Sequence, residues 1–272
     1  MRIAFLALAV ALAAAPVKAA ADPPVTFVAC APGYPGTTEE AQPSMDALAA
    51  AVATRAAWAP GQVLAVYVPT EKEGLTRIRG AAVALVPMPF FVQHGAALGL
   101  TPRLAVEQKG LGPGERWTLV AKKGRVAKAA DLAGMTVLSI AGYAPGFVRG
   151  VLGPAWHLPE STKVAESAQV LSALRKVVKG EDVAVLLDGA QGGALPTLPF
   201  AAELEVLARS EPLPAALVTT VGKRLGSARW ATMEKALLSL PADPAGASAL
   251  DAIRMVRFTP VDPAVLAAVR TL

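Results

Sequence analysis

The sequence AAVALV at residues 81–86 is apolar at every position and is followed by Pro87. A short apolar run bounded by a proline predicts a strand covered on both faces, as in the parallel sheet of an α/β protein. The second half of the chain has a similar run at residues 183–187, followed by Asp188 and Gly189. The two runs predict a buried sheet in each half of the chain.

Strand-like segments alternate with helix-like segments along the rest of the chain. Apolar residues recur at helical spacing at residues 41–57 and 169–179, and short strand-like runs occur at residues 25–30, 63–68 and 136–140. Strands that alternate with helices in this way are typical of an α/β fold. The predicted fold class is therefore α/β.

Two segments separate the two halves: GLGPG at residues 110–114, which is rich in glycine, and SEPLP at residues 210–214, which has two prolines. We expect them to form a two-strand hinge between two α/β lobes, with a cleft between the lobes. The predicted boundaries are residues 23–113 and 214–272 for the first lobe and residues 114–213 for the second. Because ligands bind at the carboxyl ends of strands in open α/β sheets, the loops at those ends are expected to line the cleft.

The N-terminus has the pattern of a secretory signal peptide. Arg2 precedes an apolar run from Ile3 to Pro16, and small residues follow at positions 19–21. The run has about 14 residues, fewer than the roughly 20 that span a bilayer, so a membrane anchor is the weaker interpretation. We expect residues 1–21 to be a signal peptide that is removed on export to the periplasm.

Composition and motifs argue against several function classes. The net charge of +5 is spread along the chain without a long basic block, which argues against nucleic-acid binding. The two histidines, His94 and His157, do not form a metal-binding motif, and Cys30 is the only cysteine, so we expect no disulfide, metal or cofactor. The sequence has no nucleophile elbow, Walker loop or dinucleotide-binding fingerprint, so we do not expect an enzyme.

Six short motifs follow one another in an order known from one family. They are APGY at 31–34, YVPT at 67–70, ALVP at 84–87, WTLVAKKG at 117–124, DLAG at 131–134 and AVLLDG at 184–189. In this order the chain resembles the phosphonate-binding (PhnD-like) group of periplasmic substrate-binding proteins, over essentially the whole mature chain. The resemblance implies a type II two-lobed fold without catalytic activity. It also implies a receptor that passes a small molecule to a membrane permease or other inner-membrane component of an ABC transporter; we expect a monomer.

The ligand remains open, because the chain departs from this family at the turn expected to bind the anion. The family's turn is rich in serine and threonine, whereas here it is AGYAPGF at residues 141–147, where Pro145 has no N–H to donate. The facing loop, VPMPFF at residues 86–91, is also apolar. Two ligand classes compete: a phosphonate or other oxyanion, and an apolar or amphipathic molecule such as a lipid or sterol. A third interpretation is a sensor or adaptor for a membrane kinase.

The residues expected to contact the ligand lie at or near the strand ends. They are Tyr34, Tyr67, Thr70, Met88, Phe90, Tyr143, Phe147, Asp188 and Gln191. Thr70 and Asp188 also fit the alternative role of helix N-caps, and the aromatic side chains fit an alternative role in core packing. The resemblance implies that an acidic residue in this region binds the amine of an aminophosphonate. Asp188, with Gln191, is the candidate here for receiving a ligand amine or hydroxyl.

Overall fold

The computed structural model describes residues 22–112 and 114–269, and the signal peptide predicted for residues 1–21 lies outside them. Within the described residues, eleven strands form two sheets. The strands are β1 (Val25–Cys30), β2 (Val63–Val68), β3 (Val83–Pro87), β4 (Leu100–Gln108), β5 (Thr118–Lys122), β6 (Thr136–Ser139), β7 (Lys163–Glu166), β8 (Val183–Leu187), β9 (Leu204–Arg209), β10 (Ala216–Val221) and β11 (Met255–Pro260). One sheet has the order β11-β4-β10-β3-β1-β2, and the other has the order β7-β6-β8-β5-β9.

Helices connect the strands and cover the sheets. They are α1 (Thr38–Arg55), α2 (Glu71–Ile78), α3 (Met88–Leu98), α4 (Pro145–Gly150), α5 (Val170–Lys179), α6 (Gly189–Ala194), α7 (Ser227–Ser239), α8 (Pro244–Ala252) and α9 (Pro263–Val269). Short 3-10 helices lie at Ala129–Leu132, Pro154–Trp156, Leu195–Thr197, Ala201–Glu203 and Leu240–Ala242. In the part of the chain that is described, no helix has the length and apolar character needed to cross a membrane.

The six-stranded sheet with α1, α2, α3, α7 and α8 is called the first lobe here, and the five-stranded sheet with α4, α5 and α6 the second lobe. Strands β1, β2 and β3 are parallel to one another, and so are β6, β7 and β8. Strand β3 is buried at every position, which confirms the prediction from the apolar run at residues 81–86. Because the parallel strands of a sheet end at the same edge, the loops that follow them are grouped in each lobe.

The first helix begins earlier than its apolar spacing predicts. The predicted start is residue 41, whereas α1 begins at Thr38. Thr37 and Glu40 form a capping box, in which the Thr37 hydroxyl accepts the Glu40 N–H at 3.2 Å and Glu40 accepts the Thr37 N–H at 2.9 Å. The polar first turn of the helix therefore precedes its buried face.

Two chain segments connect the lobes, one from β4 to β5 and the other from β9 to β10. Glu115 in the first segment pairs with Leu213 in the second. The N–H of each residue donates to the carbonyl of the other, at 2.8 and 2.9 Å. The crossings therefore run side by side through the two segments that were predicted to form the hinge, while the exact lobe boundaries stay predictions.

An apolar cluster runs from one lobe into the other. Met88, at the start of α3 in the first lobe, is fully buried in the same cluster as Trp117, Phe147 and Val148 of the second lobe. Helix α3 packs against α4. The lobes are thus in direct contact, in a closed arrangement.

Candidate functional site

The loops that follow the parallel strands of both sheets meet between the lobes. In the first lobe, Tyr34, Thr70 and Met88 follow β1, β2 and β3. In the second lobe, Tyr143 and Asp188 follow β6 and β8. Open α/β folds bind ligands at the carboxyl ends of their strands, so this interlobe surface is the candidate site.

The two lobes approach each other tightly at Gly33, in the loop after β1. A Cβ atom on Gly33 would lie 2.7 Å from Cγ1 of Ile140, in the loop after β6, and 3.6 Å from a carboxylate oxygen of Glu166. Gly33 also has a φ of +80°, a conformation that favours glycine. The closed arrangement therefore requires a residue without a side chain at this position.

One side-chain hydrogen bond joins the two lobes in the described part of the chain. The Tyr34 hydroxyl donates to Oδ2 of Asp188 at 3.0 Å. Asp188 is 2% exposed and caps α6, where its Oδ1 accepts the Gln191 N–H at 2.8 Å. The structure thus brings together three residues predicted from the sequence, Tyr34, Asp188 and Gln191.

The environment of this link perturbs both of its titratable groups. Burial raises the pKa of Asp188, while the hydrogen bonds that the carboxylate accepts oppose the rise. The pKa of the Tyr34 phenol is raised well above its ordinary value by burial and then by the charges of Asp188 and Glu115. At neutral pH Tyr34 is therefore a neutral hydrogen-bond donor.

Glu115 is a buried carboxyl at this site that sequence reasoning missed. It is 3% exposed, and its Oε2 accepts the Gly189 N–H of α6 at 3.1 Å. Burial and then the charge of Asp188 raise the pKa of Glu115 to about 8. The only sequence signal was its position, as the single acidic residue between the glycine-rich segment and the apolar strand that follows it.

Trp117 adds a second buried polar group beside Glu115. Its side chain packs edge-to-face on Phe147, with ring centroids 5.0 Å apart, and the residue is 1% exposed. The indole N–H is close enough to lower the pKa of Glu115, but it completes no hydrogen bond with any group in the described residues. A buried donor without an acceptor is uncommon in folded proteins, so the indole adds an unsatisfied polar group to the apolar surroundings of Glu115.

Tyr143 lies between the two lobes, as its position after β6 predicts. It packs against the apolar cluster shared by both lobes and also against the cluster of the first lobe around α2 and α3. Burial raises its pKa well above the ordinary value, and the charges of Cys30, Glu71 and Glu166 raise it further. This residue therefore contacts the interlobe surface on both sides.

Two carboxylates face each other at the rim of the site. Glu71 begins α2 in the first lobe, and Glu166 ends β7 in the second. Burial, followed by the charge of Glu71, raises the pKa of Glu166. A hydrogen bond of 2.6 Å joins Oε1 of Glu71 to Nε2 of His94, and the carboxylate accepts it in the imidazole tautomer that carries a hydrogen on Nε2. No local sequence pattern predicts this arrangement, because the three residues are distant in the sequence.

The three predicted apolar contacts are all completely buried. Met88 and Phe147 belong to the cluster shared by the lobes. Phe90 instead packs inside the first lobe, where its ring centroid lies 4.9 Å from that of His94. A ligand contact at each of these residues stays a prediction.

The remaining predicted residues, Tyr67 and Thr70, lie on the first-lobe side. Thr70 is exposed and caps α2, because its hydroxyl accepts the Glu73 N–H at 3.3 Å. Tyr67 is half-buried, and burial followed by the nearby Cys30 thiol raises its pKa. The structure places both residues at the carboxyl end of β2, and their ligand contacts stay predictions.

The helices that begin at the site have few free N–H donors. Thr70 and Asp188 cap α2 and α6, and Glu115 accepts a further N–H of α6. Pro89 is the second residue of α3 and Pro145 is the first residue of α4, and neither proline has an N–H to donate. The N–H groups that would bind an anion at these helix ends are thus either absent or already bonded to side chains of the protein.

The turn after β6 also uses its donors internally. The buried Ser139 hydroxyl accepts the Ala141 N–H at 3.1 Å and donates to the Leu186 carbonyl at 2.9 Å. The Ser139 carbonyl accepts the Gly142 N–H at 3.0 Å. Ser139 therefore stabilises the turn and does not present its hydroxyl to the space between the lobes.

Solved structures of similar fold occur at low sequence identity. A protein of Xanthomonas citri bound to ATP is 15% identical, with 91% of this chain and 94% of that chain covered and a TM-score of 0.68. A binding protein component of a phosphonate ABC transporter from Pseudomonas aeruginosa is 14% identical, with coverages of 92% and 85% and a TM-score of 0.60. The periplasmic aliphatic sulphonate binding protein of Escherichia coli is also 14% identical, with coverages of 92% and 85% and a TM-score of 0.53.

Sequence comparison adds nothing to this likeness, since neither a family model nor a curated protein matches the chain. At identities this low, the structural likeness concerns the fold alone. The prediction of an α/β fold with two lobes is confirmed by the two sheets and by these neighbours. The chain has the type II fold of periplasmic binding proteins.

Proposed function

We propose that the protein is the solute-binding component of an ABC-type transport system and that it closes its two lobes around a small ligand. The observation that carries the proposal is the Tyr34–Asp188 hydrogen bond, which links the carboxyl ends of the strands of one lobe to those of the other. A contact of this kind exists only when the lobes are closed, so it couples capture of a guest to lobe movement. The neighbouring phosphonate and sulphonate binding proteins support the same general role.

The proposed location is the periplasm, and the proposed partner is an inner-membrane permease. The support for the location is the signal-peptide pattern at residues 1–21 together with the periplasmic sulphonate-binding neighbour. Binding without chemical change fits a site whose titratable groups are acids and phenols held in structural hydrogen bonds.

Within this function, we propose an apolar or amphipathic ligand in preference to an oxyanion. The N–H groups of α6 are already bonded to Asp188 and Glu115, and the prolines of α3 and α4 remove others. A buried oxyanion short of donors loses a few kcal/mol for each missing hydrogen bond. Asp188, Glu71 and Glu166 are acidic residues at this surface, and their negative charges repel an anion. Tyr143, Phe91 and Val92 offer apolar surface instead.

The test begins with the protein exported to the periplasm of a Gram-negative host and purified without denaturation. Native mass spectrometry then measures the mass of any retained compound, and calorimetry measures binding of methylphosphonate and of extracted lipids. We expect a retained apolar compound that is lost in Tyr143→Ala, because Tyr143 contacts both lobes. Phe200→Ala is the matched control, since Phe200 is a half-buried aromatic residue that packs against the cluster of the second lobe beneath α5, so this variant should retain the compound.

Two results would contradict the proposal in different ways. Tight, salt-sensitive binding of methylphosphonate would exclude the apolar ligand class and leave the solute-binding function standing. The absence of any retained compound, together with no binding of either probe, would contradict the solute-binding function itself.

A further inference from the structure

Three ionisable side chains meet where the hinge, the second lobe and the first lobe join. Glu115 belongs to the first crossing, Asp188 caps α6 of the second lobe, and Tyr34 reaches Asp188 from the first lobe. The two carboxyls accept N–H groups of the same helix end, from Gly189 and Gln191. Both acids are almost completely buried, at 3% and 2% exposure.

In the described part of the chain, none of the groups that face Glu115 carries a positive charge. They are the Asp188 carboxyl, the Tyr34 phenol, the Trp117 indole and the Gly189 N–H. The adjacent Arg116 is directed elsewhere, because its side chain is 51% exposed and donates to the Ser210 carbonyl at 2.8 Å. Two ionised carboxyls buried side by side are strongly unfavourable, and a single proton removes most of the conflict.

The hydrogen bonds decide which carboxyl holds that proton. Asp188 accepts both the Gln191 N–H and the Tyr34 hydroxyl, which stabilise its ionised form. Glu115 accepts one N–H, from Gly189. Glu115 is therefore the more basic carboxyl, and its pKa of about 8 agrees with this assignment.

We propose that lobe closure is a pH-controlled latch, in which Glu115 takes up a proton as Tyr34 reaches Asp188. Opening withdraws Tyr34 and admits water, while Glu115 and Asp188 stay together on the second lobe. The inference goes beyond the proposed function and depends on it only in requiring that the lobes move. It predicts that acidic conditions favour the closed form and alkaline conditions the open form.

The sign follows from linkage. In the open form, hydration returns the Glu115 pKa toward its ordinary value of 4.5, whereas in the closed form the pKa is about 8. The closed form thus binds more protons between these two values. Below pH 4.5 Glu115 is protonated in both forms and has no effect on closure. As the pH rises, the cost of protonating Glu115 on closure grows, and it reaches its full value above about pH 8.

The experiment measures the radius of gyration by small-angle X-ray scattering of the ligand-free protein between about pH 6 and about pH 9, the interval around the closed-form pKa. The wild type should expand as the pH rises. Glu115→Gln keeps an acceptor for Gly189 but carries no charge, so it should stay compact throughout. Glu211→Gln is the matched control, because Glu211 lies in the other crossing with a side chain that is 93% exposed, and it should expand like the wild type.

The rim carboxylates Glu71 and Glu166 also oppose each other across the lobes, so the series is repeated in a Glu166→Gln background. Infrared spectroscopy provides a second measurement: the C=O stretch of a protonated carboxyl should be present in the wild type at neutral pH and absent in Glu115→Gln. A wild-type radius that does not change with pH would overturn the latch, as would a pH response that persists in Glu115→Gln or a missing carboxyl band. Because no ligand is used, failure of the latch is distinct from failure of the solute-binding function.

Discussion

The Tyr34 hydroxyl donates a hydrogen bond of 3.0 Å to the Asp188 carboxylate, across the boundary between the two lobes. The two residues are 154 positions apart in the sequence. Tyr34 follows the first strand of one sheet, and Asp188 caps the helix that follows a central strand of the other. Both residues stand at carboxyl ends of parallel strands, where type II folds place their cleft. This hydrogen bond can therefore form only when the lobes are closed.

Tyr34→Phe should weaken closure with little effect on the fold of either lobe. The substitution removes only the hydroxyl, and a hydrogen bond to a carboxylate contributes about 1.5 kcal/mol, so the equilibrium between closed and open forms should shift roughly tenfold toward open. Small-angle scattering measures the shift, and thermal unfolding measures stability. Tyr67→Phe is the control, since Tyr67 lies within the first lobe and should leave the scattering unchanged. Identical scattering for Tyr34→Phe and the wild type would show that this bond does not hold the lobes.

Gly33→Ala should hold the lobes apart. The new Cβ would lie 2.7 Å from Ile140 Cγ1, well inside van der Waals contact, so closure would require Ile140 or its loop to shift. Gly36→Ala is a matched control, because Gly36 also has a positive φ, of +112°, but a Cβ there meets nothing within 4 Å. Both variants should lose about 1 kcal/mol of stability from the backbone conformation.

Only Gly33→Ala should also enlarge the radius of gyration at acidic pH, where the wild type is expected to be closed. Equal radii for the two variants would contradict a steric role of Gly33 in closure.

Ser210→Ala should destabilise the hinge. The buried Ser210 hydroxyl accepts the backbone N–H of Trp117 at 2.9 Å and donates to the Glu211 carbonyl at 2.7 Å, so it connects one crossing to the other. Removing it leaves a buried backbone N–H without an acceptor, at a cost of about 1–3 kcal/mol. Urea unfolding should show the loss, whereas Ser239→Ala, which removes a solvent-exposed hydrogen bond from Arg55 at the end of α7, should change stability by less than about 1 kcal/mol. Similar losses in the two variants would argue against a special role for the hinge hydroxyl.

The fold was predictable because its strands carry strong local signals. The apolar runs at residues 81–86 and 183–187 became β3 and β8, and strands at residues 25–30 and 63–68 were predicted with their exact ends. Strands β7 and β11 were missed, since they lie at sheet edges and all their residues except Phe258 are exposed or half-buried, without a regular alternation. Their pattern is weak because an edge strand has little apolar surface to bury.

The site was predictable only in part. Loop positions after strands pointed to Tyr34 and Asp188, because strand ends define the cleft of an α/β fold. Glu115 was not predicted, since its burial results from a tertiary approach of the hinge to α6. A charged residue in a flexible, glycine-rich segment is ordinarily solvated, and no local pattern distinguishes this one.

Asp188→Ala should show how a helix cap and a like-charge contact combine. The variant loses the cap of α6, which costs about 1 kcal/mol at any pH, and it also removes the negative charge beside Glu115. The Asp188 charge destabilises the wild type only where Glu115 is ionised, which is above about pH 8. Above that pH, loss of the charge offsets part of the cost of losing the cap, whereas below it there is no such gain. The net loss of stability measured by urea unfolding should therefore be larger at about pH 6 than at about pH 9.

Asp243→Ala is the control. Asp243 caps α8 through the Gly246 N–H at 2.9 Å and has no buried acid among its hydrogen-bond partners, so the stability lost in this variant should be the same at both pH values. If the two variants lost the same stability at both pH values, Asp188 and Glu115 would not interact as the buried pair described above.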